Sequence, residues 1–287
     1  MRLSRILFVL SLIVASLALS ACGDDEESEP AGTSEAKASA CAKDDLALVS
    51  PGTLTVGTDK PAFPPYFEDD DPTNGKGFES AVAYAVAAEL GFAKGDVKWT
   101  VVPFNSSYAP GPKDFDFDIN QISITPKREQ AVDFSRPYYV APQAVVVGKG
   151  SKLTEVSSLA DLADATIGVQ IGTTSLDAVS EVIKPSEQPK VFNDSNDVVT
   201  ALKQNQVDAV VLDLPTAFYL TAAQVPGSKI VGQFNAPGGD SFGLLAAKGS
   251  KLTPCLDQAL EKLDSSGELK QITDKWMGAA AGAPELR

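Results

Sequence analysis

The chain predicts an α/β protein built in two halves, and three observations carry that prediction. Short β-rich runs alternate with helical patterns along most of its length, the layout of sheets covered on both faces by helices. Its 287 residues suffice for two domains of ordinary size. A second strand–helix series begins at AVVVGKGSKL, just after residue 140, and runs to about residue 232. The strand expected at 243–247 and the helices after it then read as a return to the first half.

Taken in order, residues 1–21 set Arg2 and Arg5 before an apolar run from Ile6 to Leu19 and end in small residues. That is a secretory signal peptide, too short and wrongly flanked for a retained membrane helix. It closes on LSAC, residues 19–22, which resembles the bacterial lipobox, whose Cys is acylated. Cys22 is therefore expected to carry a lipid anchor on the outer face of the bacterial cell membrane, because two or three acyl chains hold a protein stably. Residues 23–40 lack aromatic and β-branched apolar side chains and cannot bury enough surface to fold. Residues 22–40 thus read as a lipidated, flexible, acidic tether.

Strands are expected at 53–58, 97–102, 118–124, 144–148, 166–170, 208–213, 229–232 and 243–247. β-Branched and apolar residues dominate these runs, and turn-forming residues flank many of them. Helical patterns fill 79–90, 126–133, 157–163, 174–183, 196–205, 215–223, 254–265 and 268–276.

Composition removes several classes of function. The chain has no His, which excludes Ser-His-Asp or Cys-His catalysis and any His-ligated metal. Its net charge of −14, without a basic patch, argues against nucleic acid as a partner. Three cysteines, one claimed by lipidation, cannot close a structural zinc site, and no cofactor is expected. The remaining pair, Cys41 and Cys255, is expected to form a disulfide outside the cytoplasm. Two buried free thiols are the alternative.

The chemistry concentrates in ISITPKREQAVDFSRPYY, residues 122–139. Thr125 is a good N-cap and Pro126 suits a first helical position, so Arg128 would project from the first turn of a helix. A planar guanidinium there can grip a carboxylate with two prongs, aided by the Thr125 hydroxyl and the main chain at Ser123. In VQIGTTSLDAV, residues 169–179, Gly172 allows close backbone approach, and Thr173 and Thr174 open a helix whose free N–H groups attract anions. Asp213 ends the apolar strand DAVVLD, where open α/β sheets place ligands.

These stretches, with GFES (77–80), RPYY (136–139) and GELKQITDKW (267–276), resemble the family 3 solute-binding proteins of amino-acid ABC importers, which have the type II periplasmic-binding-protein fold. The resemblance covers most of residues 52–278. It implies two lobes of mixed, mostly parallel sheets, joined by two crossing strands near 139–145 and 233–241, with the ligand in the cleft between them. Lobe 1 would comprise 41–141 and 238–287, and lobe 2 would comprise 142–237. Arg128, Thr125, Ser123, Thr173 and Thr174 would take the ligand's α-carboxylate, and Asp213 its ammonium. Asp59 and Phe63 in GTDKPAFPPYF (57–67), with Asn120 and Gln121, would face the ligand's side chain. The implied partners are a free amino acid and the permease subunits, with the binding protein a monomer.

The sequence also departs from the family pattern. Ala81 stands where an acidic residue is common, Pro110 and Pro112 interrupt a usual helix, and Asp118 and Asn120 fall in a normally apolar strand. The fold also hosts dehydratases acting on small carboxylates, for which Glu79 or Asp118 would be the candidate acid. No acid–base pair is evident for that reading.

Overall fold

The structure, a computed structural model, describes residues 41–278 and 282–287. The signal peptide expected at 1–21 and the tether expected at 22–40, with Cys22, lie outside the described residues. Two five-stranded sheets organise the rest. The first runs β2 (Val97–Val101), β1 (Leu54–Thr58), β3 (Phe117–Asp118), β10 (Ser241–Ala247), β4 (Val132–Val140). The second runs β7 (Lys190–Phe192), β6 (Ile167–Gln170), β8 (Ala209–Asp213), β5 (Gln143–Val147), β9 (Lys229–Phe234).

Each sheet is parallel over three strands and antiparallel where the strands flanking the crossings join it. That follows from connectivity. β4 leaves the first sheet and β5 enters the second, while β9 and β10 make the return trip. The chain changes sheets at Ala141–Pro142 and comes back through residues 235–240.

Apolar side chains decide which faces are covered. The helix α1 (Phe78–Glu89) buries Phe78, Val82 and Val86 against Leu54 and Val56 of β1. The helix α6 (Thr253–Ser265) adds Leu256, Leu260 and Leu263 at helical spacing to the same core. Burying each such side chain is worth about 1.5–3 kcal/mol relative to leaving it in water. Cys41 and Cys255 are bonded, with Cα atoms 5.5 Å apart, so the expected disulfide pins the start of the described chain to α6.

Three local expectations are corrected. The helix expected at 126–133 is a single 3₁₀ turn, Arg128–Gln130, because the β-branched and aromatic run from Val132 pairs with β10 instead. The strand expected at 118–124 ends at Asp118. Gln121 adopts φ 49° and gives its N–H to the Glu79 carboxylate at 2.7 Å, removing the donor a ladder would use. The last residues, expected with lobe 1, lie on the second sheet. Gln233 N–H donates to the Pro284 carbonyl at 2.8 Å, Leu286 N–H donates to the Gln233 carbonyl at 2.9 Å, and Leu286 packs into the second core over Gly232.

Candidate functional site: a cleft between the two sheets

A cavity of about 390 Å³ opens between the lobes. Its floor is set by the ends of β1 and β8 and by the loop after β3, which is where parallel strands deliver side chains to a ligand.

Arg128 is buried in it, with only 7% of its surface exposed. Its Nη1 donates to the Ser123 carbonyl at 2.7 Å and its Nη2 to the Gly172 carbonyl, on the other lobe, at 2.9 Å. The guanidinium lies 4.7 Å from the Tyr108 ring centroid and 5.5 Å from that of Phe104. Those faces hold the charge in place and exclude water around it. Burial pulls the Arg128 pKa down, with Tyr108 and nearby carboxylates opposing, yet a guanidinium stays charged. It also has more N–H groups than two carbonyls take, which leaves donors for a carboxylate.

Thr125 accepts from the Arg128 backbone N–H at 3.2 Å, so its hydroxyl caps the turn and is not among the cavity-lining groups. Ser123 and Thr174 meet across the cleft with hydroxyl oxygens 3.3 Å apart. Thr173 is the N-cap of α3 (Thr174–Ala178) and accepts from Leu176 N–H at 3.2 Å. Both threonines line the cavity beside Arg128.

Asp213, at the end of β8, lines the same cavity, and its carboxyl is pushed up to about 7. Burial is the main cause and the neighbouring Asp240 carboxylate the second; an amide hydrogen bond from Gln143 and the charge of Arg128 oppose them. Asp213 thus sits beside a second carboxylate, with the charge of Arg128 only partly offsetting the cost of its own.

Asp59, Phe63, Asn120 and Gln121 also line the cavity. The Asp59 carboxylate accepts from Lys60 N–H at 2.6 Å and Phe104 N–H at 3.2 Å. Burial raises its pKa, and Asp194 on the opposite lobe adds to the shift. Asn120 is buried with its side-chain nitrogen unpaired within the described residues. The remaining cavity cation, Lys60, is exposed and paired with Asp70 at 3.5 Å. Among the described residues no cluster of His, Cys, Asp and Glu is arranged to hold a metal.

Sequence reasoning missed Phe104, Tyr108 and Gln143. The Pro-broken stretch around Tyr108 read as loop, and nothing in it marked an aromatic wall for Arg128. It also gave Glu79 and Asp118 as candidate acids, but neither lines the cavity. Glu79 is fully buried, bonded by Gln121 and by the Tyr138 hydroxyl, and burial raises its pKa to about 7.

The pattern of the bacterial extracellular solute-binding proteins, family 3, matches residues 54–279. The arginine-binding extracellular protein ArtP of Bacillus subtilis (strain 168) is 25% identical over 279 residues, covering 94% of this chain and 97% of that protein. A probable histidine-binding protein of Neisseria gonorrhoeae is 29% identical over 280 residues, covering 95% of each. An ancestral arginine-binding protein solved with arginine is 34% identical and superposes with a TM-score of 0.66, covering 78% of this chain and 98% of that one. The two-lobed fold, the cleft with a buried arginine and the match over residues 54–279 have one meaning: the chain belongs to the bacterial extracellular solute-binding proteins of family 3.

Proposed function

We propose that this protein captures a free polar or basic L-amino acid between its lobes and delivers it to the permease of an ABC importer, held at the extracytoplasmic face of the cell membrane by a lipid on Cys22. The observation that carries the reading is that Arg128, from the first lobe, and Asp213, from the second, line one small cavity. They offer a cation to a carboxylate and an anion to an ammonium, the two groups every free amino acid presents. Ser123, Thr173 and Thr174 surround the Arg128 side, and Gly172 brings the second lobe's backbone to it.

The side-chain end of the cavity supports a polar or cationic ligand. Asp59 and Asp194 both line it, and Asn120 supplies a buried amide in need of a partner. An acidic side chain there would face two carboxylates. Relatives named for arginine and histidine fit the same chemistry. Binding without catalysis is supported by the relatives, which are named as binding proteins. A ligand touching both lobes stabilises the closed form by its contacts in that form.

A thermal-shift screen of the purified protein against the free L-amino acids tests the proposal, because a ligand that binds only the folded state raises the melting temperature. Stabilisation by arginine, lysine, histidine or glutamine is expected. Stabilisation by sugars or oligopeptides alone would overturn it.

A further inference from the structure

Gln143 is the first residue of β5, immediately after the chain crosses between lobes, and no part of its surface is exposed. Its one amide serves three elements. Nε2 donates to Asp213 Oδ1 at 2.9 Å and to Asp240 Oδ1 at 3.0 Å, while Oε1 accepts from the Ser175 hydroxyl at 2.6 Å. Asp240 belongs to the other crossing, where it is buried and accepts from Ala236 N–H at 3.0 Å. Ser175 lies in the first turn of α3 beside Thr173 and Thr174. A single side chain therefore joins both connections between the lobes, the carboxylate of the cleft and the helix that faces Arg128.

We propose that Gln143 is the positioning residue that aims Asp213 at the ligand's ammonium group and ties that contact to the two inter-lobe crossings. The inference rests on the reading that Asp213 meets an ammonium. The amide favours an ionised, cleft-facing Asp213 by donating to it, and Ser175 fixes which end of the amide does so. The other groups acting on Asp213 come from elsewhere: Asp240 from the second crossing, and Arg128 and Glu79 from the first lobe. The hydroxyls of Tyr66 and Tyr139 feel its charge in turn. None of these spans both crossings as Gln143 does. A cation arriving at Asp213 offsets the repulsion between the two carboxylates that share the amide, so the crossings register the ligand.

The test pairs two probes with one variant of the full chain, Gln143→Met, which keeps the volume and removes the donor. L-Arginine carries the ammonium; 5-guanidinopentanoic acid is the same molecule without it. Gln143→Met is expected to weaken L-arginine binding by roughly 10- to 100-fold and to change binding of the analogue by less than about threefold. In the ligand-free protein, carbon-13 NMR of labelled Asp side chains, with Asp213 assigned through Asp213→Asn, is expected to show its titration midpoint rising by about one pH unit in the variant. Equal losses with both probes would reduce Gln143 to a structural role and overturn the inference, as would an unmoved midpoint. If the wild-type protein binds neither probe, the transport reading fails while the midpoint still decides the role of Gln143. If Gln143→Met does not fold, Gln143→Glu keeps an acceptor for Ser175 and is expected to show the same selective loss; unchanged L-arginine binding in it would overturn the inference.

Discussion

Arg128 of the first lobe donates through Nη2 to the carbonyl of Gly172 in the second at 2.9 Å. Arg128, proposed above as the ligand's carboxylate-binding cation, is therefore also a clasp between the lobes. The Tyr108 hydroxyl reaches the same carbonyl at 3.2 Å, and the paired hydroxyls of Ser123 and Thr174 stand alongside. Three contacts between the lobes thus cluster around one point of the backbone, beside the cavity.

Gly172 gives the first prediction. It sits at φ 75°, and a Cβ there would collide with Asn105 and the Tyr108 hydroxyl, both on the opposite lobe. The collision exists only when the lobes meet. Gly172→Ala should lower amino-acid affinity at least about tenfold by opposing closure. Its folding stability should fall little, by no more than the roughly 1–2 kcal/mol of the left-handed backbone. Calorimetric titration beside a melting curve separates the two effects; matched losses in both would count against the clasp.

The second prediction concerns pH. Burial raises the Asp213 pKa to about 7, and an ammonium partner would favour its carboxylate. Ligand binding should therefore release a proton below about pH 7, with affinity falling up to about tenfold per pH unit on acidification. For the ligand-free fold the sign is opposite. Asp213 and Glu79 both have raised folded-state pKa values of about 7, so their contribution to stability is fully present below their unfolded pKa values and is lost as pH rises through about 7. Dissociation constants at about pH 5.5 and about pH 8 check the first part, and melting curves at the same pH values check the second.

Much of the candidate site could be read from the chain because the residues that line the cavity announce themselves locally. Arg128 follows a Thr-Pro step, Thr173 caps a helix after Gly172, and Asp213 ends an apolar strand. Those are short-range signals. What stayed hidden depends on partners far away in sequence. The turn at Arg128–Gln130 stops short of a helix because Val132 onward pairs with β10, more than a hundred residues on. Glu79 bends the chain at Gln121, and Gln143 is defined by Asp213, Asp240 and Ser175. The docking of Leu286 on the second lobe carries no local mark at all.

Asp118 supplies a third prediction. It is fully buried on β3, both carboxyl oxygens lack a partner among the described residues, and burial raises its pKa well above the ordinary value, with Glu79 and Asp59 adding to the shift. A raised folded-state pKa means stability present below the unfolded pKa and lost as pH rises. Asp118→Asn should therefore be more stable than the wild type at about pH 8 and close to it at about pH 4. Denaturant unfolding at both values checks this, and a variant destabilised at pH 8 would contradict it.

The fourth prediction is the disulfide. The Cys41–Cys255 bond closes a loop spanning 214 positions, so reduction should cost on the order of 3–5 kcal/mol. Melting curves with and without a strong reductant measure it. Amino-acid affinity should change little, since neither cysteine lines the cleft.

The most direct measurement is a calorimetric titration of L-arginine into the wild-type protein and into Arg128→Ala and Arg128→Lys. The wild type should bind one ligand per chain. Arg128→Ala should lose at least about 2–4 kcal/mol, because a buried carboxylate is left without its cation. Arg128→Lys should also bind weakly, since a point charge cannot serve the ligand and both lobes as a planar fork does. Retention of wild-type affinity by Arg128→Ala would contradict the account at its centre.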